Sequence, residues 1–168
     1  KFNFELADIR NIINSIYLLI NEQCNHRGIK MFIRIDDDID GLYVDQERIR
    51  QGLLNIVINA IKAMPSGGNL TIKAAELTGD SGSGDPERRI EITIGDTGVG
   101  IATENIGRIF DPFFTTNNEG TGLGLSITHS IIKEHSGIVK VDSELGKGTE
   151  FTIILPCDCR KAVEYLDA

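Results

Sequence analysis

The sequence predicts an α+β fold, a mixed and mostly antiparallel sheet with helices on one face. Two observations carry this. Three stretches repeat apolar residues at helical spacing, and five shorter stretches read as strands. Two neighbouring strand pairs, joined through 79–86 and 145–148, read as hairpins, which favours antiparallel pairing over a wound parallel sheet. A length of 168 residues suits one domain with its own core.

In chain order, Leu6, Ile9, Ile13, Ile16, Tyr17, Ile20 and Cys24 place a helix over 6–26, with Gly28 as its stop. Met31 to Ile35 reads as a strand and Asp36-Asp37-Asp38 as a solvated turn. Gln46 to Met64 is a strong helix, ended by Pro65-Ser66-Gly67-Gly68. Leu70 to Glu76 and Arg89 to Ile94 alternate as strands around a Gly- and Ser-rich loop. Residues 101–122 look irregular, apart from a short helix near Glu104 to Ile109. Leu123 to His135 is a helix with Gly137 as its stop. Ile138 to Val141 and Thr149 to Leu155 form the last strand pair, ended by Pro156.

Bulk properties exclude several classes. No window approaches the roughly 20 apolar residues of a membrane span, and Lys1-Phe2-Asn3-Phe4 does not open a signal peptide. There is no initiator Met, so a fragment of a longer chain is expected. The net charge is −8 and no basic face is visible, which argues against nucleic acid and against direct membrane contact. An anionic ligand must then be held locally. Cys24, Cys157 and Cys159 lack the partners of a zinc site and read as reduced thiols in a cytoplasmic setting.

Three features carry chemistry. On the helix at 46–64, Arg48, Gln51, Asn55, Asn59 and Lys62 share one polar stripe, opposite Ile49, Leu53, Ile56, Val57, Ala60 and Ile61. An amide oxygen is a hard ligand that suits Mg²⁺, and Lys62 lies one turn on to meet phosphate. Taken alone, the stripe fits an ordinary solvated face equally well. Asp96 then follows an apolar strand and leads into Thr97-Gly98-Val99-Gly100-Ile101. Its carboxylate can accept from an exocyclic amine such as adenine N6, though an Asp-Thr-Gly turn explains the hexapeptide too. Finally Gly120-Thr121-Gly122-Leu123-Gly124-Leu125-Ser126 opens a helix, where free N–H groups and the dipole favour phosphate. A dinucleotide fold would place such a loop after a strand, and a P-loop would need Gly-Lys-Ser/Thr. Neither pattern is present.

These motifs in this order resemble the ATP-binding catalytic domain of sensor histidine kinases. Phe110-Asp111-Pro112-Phe113-Phe114-Thr115-Thr116, Gly146-Lys147-Gly148-Thr149-Glu150-Phe151 and Ile154-Leu155-Pro156 join them, and the likeness covers nearly the whole chain. The resemblance implies a Bergerat ATP-binding fold, a two-layer α/β sandwich. It implies Asn59 as Mg²⁺ ligand with Asn55 beside it, Lys62 at phosphate, and Asp96 on adenine N6. Gly98, Gly100 and Ile101 would shape the pocket, with Thr149 behind the base. An ATP lid would span about 102–122. Phe110, Thr115 and Thr116 would lie at its near end, and Gly120, Thr121, Gly122, Leu123, Gly124 and Leu125 at its far hinge.

The implied activity is ATP-dependent protein-histidine kinase, in two-component signal transduction. The γ-phosphate would go to a histidine on a separate dimerisation and phosphoacceptor domain, and then to a response regulator. The parent chain could be membrane-anchored. None of the three histidines, His26, His129 and His135, precedes an acid, so all three are expected to be structural or surface residues. Asn117 stands where many relatives carry Lys, which leaves a basic lid contact open. The alternatives are an ATP-hydrolysing switch, a nucleotide-binding module and a serine kinase of the same superfamily. Hydrolysis would need a general base, which Asn55 cannot be.

Overall fold

The computed structural model describes residues 2–80, 86–116 and 120–159. A five-stranded sheet runs in the order β2 (Ile29–Ile35), β4 (Gly68–Asp80), β5 (Pro86–Asp96), β7 (Gly148–Pro156), β6 (Ile138–Glu144). β2 and β4 are parallel and the other three pairs are antiparallel. Three long helices lie on one face: α1 (Ile9–His26), α2 (Gln46–Ala63) and α4 (Gly124–Glu134). This is the mixed, mostly antiparallel two-layer architecture that the sequence predicts.

The two-residue period of a strand explains the layering. Leu70, Ile72 and Ala74 of β4, Ile90, Ile92 and Ile94 of β5, and Phe151, Ile153 and Leu155 of β7 are buried under the helices. Their neighbours Lys73 and Glu150 are exposed on the other face. Burying each large aliphatic side chain contributes about 1.5–3 kcal/mol. The register sets Asp96 opposite Thr149 at the end of the sheet, where the helices leave a gap.

The differences from the sequence reading have local causes. Leu6 is not in a helix. It lies in β1 (Glu5–Ala7), which pairs with β3 (Leu42–Val44), and it is 63% exposed. The helix starts after Asp8, whose carboxylate caps it by accepting from the Arg10 N–H at 2.8 Å. Strands of three residues are too short to show a period, which is why β1 and β3 leave no trace in the pattern. The short helix α3 is Thr103–Ile106, and the buried Ile109 beyond it lies in turns. The loop expected at 79–86 falls mostly on 81–85, outside the described residues. Gly137 does not supply the left-handed residue after α4, because Ser136 does, at φ 53°. A Cβ on Gly137 would meet Leu155 Cδ2 at 2.7 Å, so the glycine serves close packing against β7.

His135 closes the far end of α4. Its Nε2 accepts from the Asp45 N–H at 3.0 Å, so Nδ1 carries the proton and donates to the Ile131 carbonyl at 2.7 Å. Phe2 and Phe4 pack edge-on against the ring. Arg48 lies over Phe2 and pairs with Glu134 at 2.9 Å. Burial, helped by nearby Arg48, holds the imidazole below its ordinary pKa, and this outweighs the opposing pull of the Ile131 carbonyl, Asp45 and Glu134. The folded state therefore binds this proton less readily than the unfolded chain. Stability should be full above about pH 6.5 and fall as pH drops through that value, by up to about 1.4 kcal/mol per unit. Urea midpoints between pH 7.5 and 5.5 will check this. A His135→Gln variant, less stable at the outset, should show a shallower fall.

Candidate functional site

A cleft of about 780 Å³ opens between α2, the segment after β5, α3, residues 114–116 and 120–122, and the start of α4. This size suits a small-molecule ligand. Each wall comes from an element fixed by the core.

Asp96 forms one end. It sits at the last position of β5, half-buried, and its Oδ1 accepts the Gly98 N–H at 2.8 Å. Burial raises its pKa above the ordinary carboxylate value, against the opposing pull of the Gly98 and Thr149 backbone N–H groups. Thr149 backs this end and is itself held by Ser143, whose Oγ lies 2.9 Å from Thr149 Oγ1. Ser143 also accepts from the Ile101 N–H at 2.8 Å, so one hydroxyl ties the segment after Asp96 to the last hairpin.

The other end is polar. Asn55, Asn59 and Lys62 line it from α2. The Asn59 side chain makes no hydrogen bond with the described residues. Asn55 donates from Nδ2 to the Gly124 carbonyl at 3.1 Å and to Thr128 Oγ1 at 3.4 Å, which leaves its oxygen without a described partner. Gly124 and Leu125 face the cleft from the start of α4, an eleven-residue helix whose N-terminus has no side-chain cap. Its first N–H groups are thus open to an anion.

Phe114, Thr115, Thr116, Gly120 and Thr121 form the third side. The Phe113 N–H donates to the Gly122 carbonyl at 2.9 Å, so this segment is pinned where it leaves and rejoins the fold. A Cβ on Gly122 would come within 2.4 Å of the Phe113 backbone, and its φ of 69° also calls for glycine. Residues before Phe113 include α3 and the buried Ile109. Asn117, the position of the absent Lys, lies outside the described residues.

Of the residues singled out in the sequence, Asn55, Asn59, Lys62, Asp96, Gly100, Ile101, Thr115, Thr116, Gly120, Thr121, Gly122, Gly124, Leu125 and Thr149 line the cleft. Gly98, Phe110 and Leu123 do not. A Cβ on Gly98 would lie 2.4 Å from the Ala63 carbonyl, so this glycine admits the end of α2 rather than a flat ligand. Gly100 likewise abuts the Glu144 carbonyl. Phe110 stacks on His129 at 5.1 Å and meets Phe151 edge-on. Leu123 is the N-cap of α4. The helix stripe also divides: Arg48 serves the His135 end, and Gln51 is exposed away from the cleft. The sequence reading missed the apolar lining of Ile58, Ala63, Val99, Ile109, Phe114 and Phe151, which looks like core in the pattern.

The donor set decides which metal would fit. Among the described residues no cluster of three or more His, Cys, Asp or Glu could hold an ion. Two amide oxygens without described partners, beside an anion site, suit a hard cation that keeps water and phosphate oxygens as most of its shell, as Mg²⁺ does.

Comparison with known proteins agrees with this geometry. The chain belongs to the family described as histidine kinase-, DNA gyrase B-, and HSP90-like ATPases, whose model matches residues 44–158. Within it, the chain stands with the sensor histidine kinases. It is 37% identical to sensor histidine kinase ZraS of Escherichia coli (strain K12) over 152 residues, covering 90% of this chain and 31% of that kinase. The nucleotide-free catalytic domain of histidine kinase ThkA superposes with a TM-score of 0.82 at 28% identity, covering 95% of this chain and 99% of that one. ThkA has also been solved in complex with response regulator protein TrrA. Full-length ShkA in complex with AMPPNP superposes with a TM-score of 0.79 at 29% identity, over 93% of this chain and 31% of ShkA. The chain thus spans less than a third of the length of ZraS.

The raised pKa of Asp96 makes its ionised form a cost to the fold at neutral pH. Its sign is opposite to that of His135: the handicap is present at high pH and vanishes as pH falls through the folded value toward about 3.9. Asp96→Asn should therefore resist urea better than the wild type at pH 7.5, and the advantage should shrink as pH falls toward 4. Paired unfolding curves at the two pH values will check this.

Proposed function

We propose that this chain binds Mg-ATP and donates the γ-phosphoryl group to a histidine on a separate dimerisation and phosphoacceptor domain. That domain would in turn serve a response regulator. The observation that carries the reading is the polarity of the cleft. A half-buried carboxylate that can accept from adenine N6 stands at one end. Amide oxygens, a lysine and an uncapped helix N-terminus stand at the other.

In this reading Asp96 selects adenine, because guanine presents a carbonyl where adenine has an amine. Thr149 lies behind the base, and Ile101 packs beside it. Asn59 and Asn55 would hold Mg²⁺, which supplies charge neutralisation across the phosphate oxygens. Lys62 and the N–H groups at Gly124 and Leu125 take the remaining negative charge. Thr115, Thr116, Gly120 and Thr121 border the phosphates and help exclude water.

Transfer of a phosphoryl group to an imidazole nitrogen needs position more than chemistry. This chain supplies the position, and the nucleophile comes from elsewhere. His135 is fully buried with both ring nitrogens engaged, and His129 is stacked under Phe110. The amide of Asn55 cannot take a proton from water, and its nitrogen is already committed to α4. This favours storage of the γ-phosphate over hydrolysis. AMPPNP in the ShkA complex and TrrA in the ThkA complex support ATP and a response regulator as partners.

The test is calorimetry followed by a transfer assay. Asp96→Ala should weaken ATP by about 1.5–3 kcal/mol, on the order of 10- to 100-fold, and GTP should bind poorly to the wild type. Asn59→Ala should abolish transfer while leaving adenosine affinity nearly intact. Labelled ATP should mark a supplied acceptor hairpin in trans and leave this chain unlabelled. Equal affinity for ATP and GTP, or stable label on His26, would overturn the reading.

A further inference from the structure

Thr128 does not line the cleft, yet it is fully buried and polar. It lies one turn into α4, at the crossing with α2. Gly52 makes that crossing close, since a Cβ there would already touch Thr128 Cγ2 at 3.6 Å. The Thr128 hydroxyl has one proton, with two acceptors in reach: the Gly52 carbonyl of α2 at 3.2 Å and the Gly124 carbonyl of α4 at 2.9 Å. Its oxygen also lies 3.4 Å from Asn55 Nδ2, and accepts from it.

The consequence falls on Asn55. A carbonyl can only accept, so Gly124 fixes which end of the Asn55 amide faces α4. The amide nitrogen has two protons, and Thr128 supplies the second acceptor. With both engaged, the amide is held against rotation as well as against flipping. Its oxygen is then the one group left for the phosphate end of the cleft.

We infer that Thr128 is a positioning residue of the cleft, which grips Asn55 by its nitrogen and so presents its oxygen to a metal–nucleotide complex. The inference rests on the reading that Asn55 and Asn59 serve Mg-ATP. It assigns a role to a side chain that touches neither ligand. Outer partners of this kind typically change metal affinity by about 10- to 100-fold when removed.

The experiment compares Thr128→Val, which keeps the shape and loses the oxygen, with Thr128→Ser, which keeps the oxygen. For each, ATP binding is titrated against Mg²⁺ by calorimetry, and adenosine binding is measured without metal. The hydrogen exchange of the Asn55 side-chain amide is followed by NMR in the free protein. Thr128→Val should need about tenfold more Mg²⁺ for half-maximal ATP affinity, with adenosine affinity unchanged and Asn55 amide exchange accelerated. Thr128→Ser should match the wild type in all three. Thr128→Ala, smaller but equally lacking the oxygen, should repeat the Val result, which separates the bond from packing. A Mg²⁺ titration of Thr128→Val that matches the wild type, or Thr128→Ser failing as Val does, would overturn the inference. If wild-type ATP affinity ignored Mg²⁺, the Mg-ATP reading itself would fall. Unchanged Asn55 exchange in Thr128→Val would instead show that the grip is absent.

Discussion

The seating of α2 governs the rest of this structure. Ile49, Leu53, Ile56, Val57, Ala60 and Ile61 are each 4% exposed or less, and they press one side of the helix into the core. A helix is rigid about its own axis, so burying one face fixes the bearing of the other. The stripe that ends in Asn55, Asn59 and Lys62 is aimed by that burial, and the bonds from Asn55 to Gly124 and Thr128 then set the amide itself. The same seating brings the end of α2 against Gly98, where the Val99 N–H donates to the Ala63 carbonyl at 3.0 Å. The two ends of the cleft therefore share one support.

Electrostatics here is local. The chain carries a net charge of −8, yet the cleft is shaped for an anion. Long-range attraction cannot assist, and at physiological salt it would be screened beyond about 8 Å in any case. Short-range donors must do what the overall charge opposes: one lysine, backbone N–H groups at an uncapped helix start and, under the proposed function, a cation held by amides. Neutral amide ligands add no negative charge of their own beside the phosphates, which a carboxylate pair would.

The sequence made the helices, the long strands and the polar end of the cleft legible, because each repeats with a period or carries glycines and amides at telling places. Asn55 and Asn59 stood out since amides are poor helix formers and these two were in register. Asp96 stood out through the glycines behind it. The apolar wall did not. Ile58 and Phe151 follow the same periodicities as true core residues, and nothing local separates a side chain that faces a ligand from one that faces its neighbours. Ser143 and Thr128 were invisible for another reason. Their bonds reach across the fold, to Ile101 and Gly52, and a one-dimensional pattern does not record who lies opposite. Glycines misled in a specific way: Gly98 and Gly137 make room for protein backbone or side chains.

The bond between the Phe113 N–H and the Gly122 carbonyl has an evolutionary consequence. It joins the two ends of the segment between them, so the scaffold meets that segment chiefly through Phe114, which packs on the core and under the Arg108 guanidinium. Closing such a loop costs only about 0.6 kcal/mol more for each doubling of its length. Insertions, deletions and changes of charge after Thr115 and before Gly122 are therefore cheap for the scaffold. The segment can drift quickly among related chains while Phe113 and Gly122 stay put, and a loop can be exchanged between relatives as a module cut at those two positions.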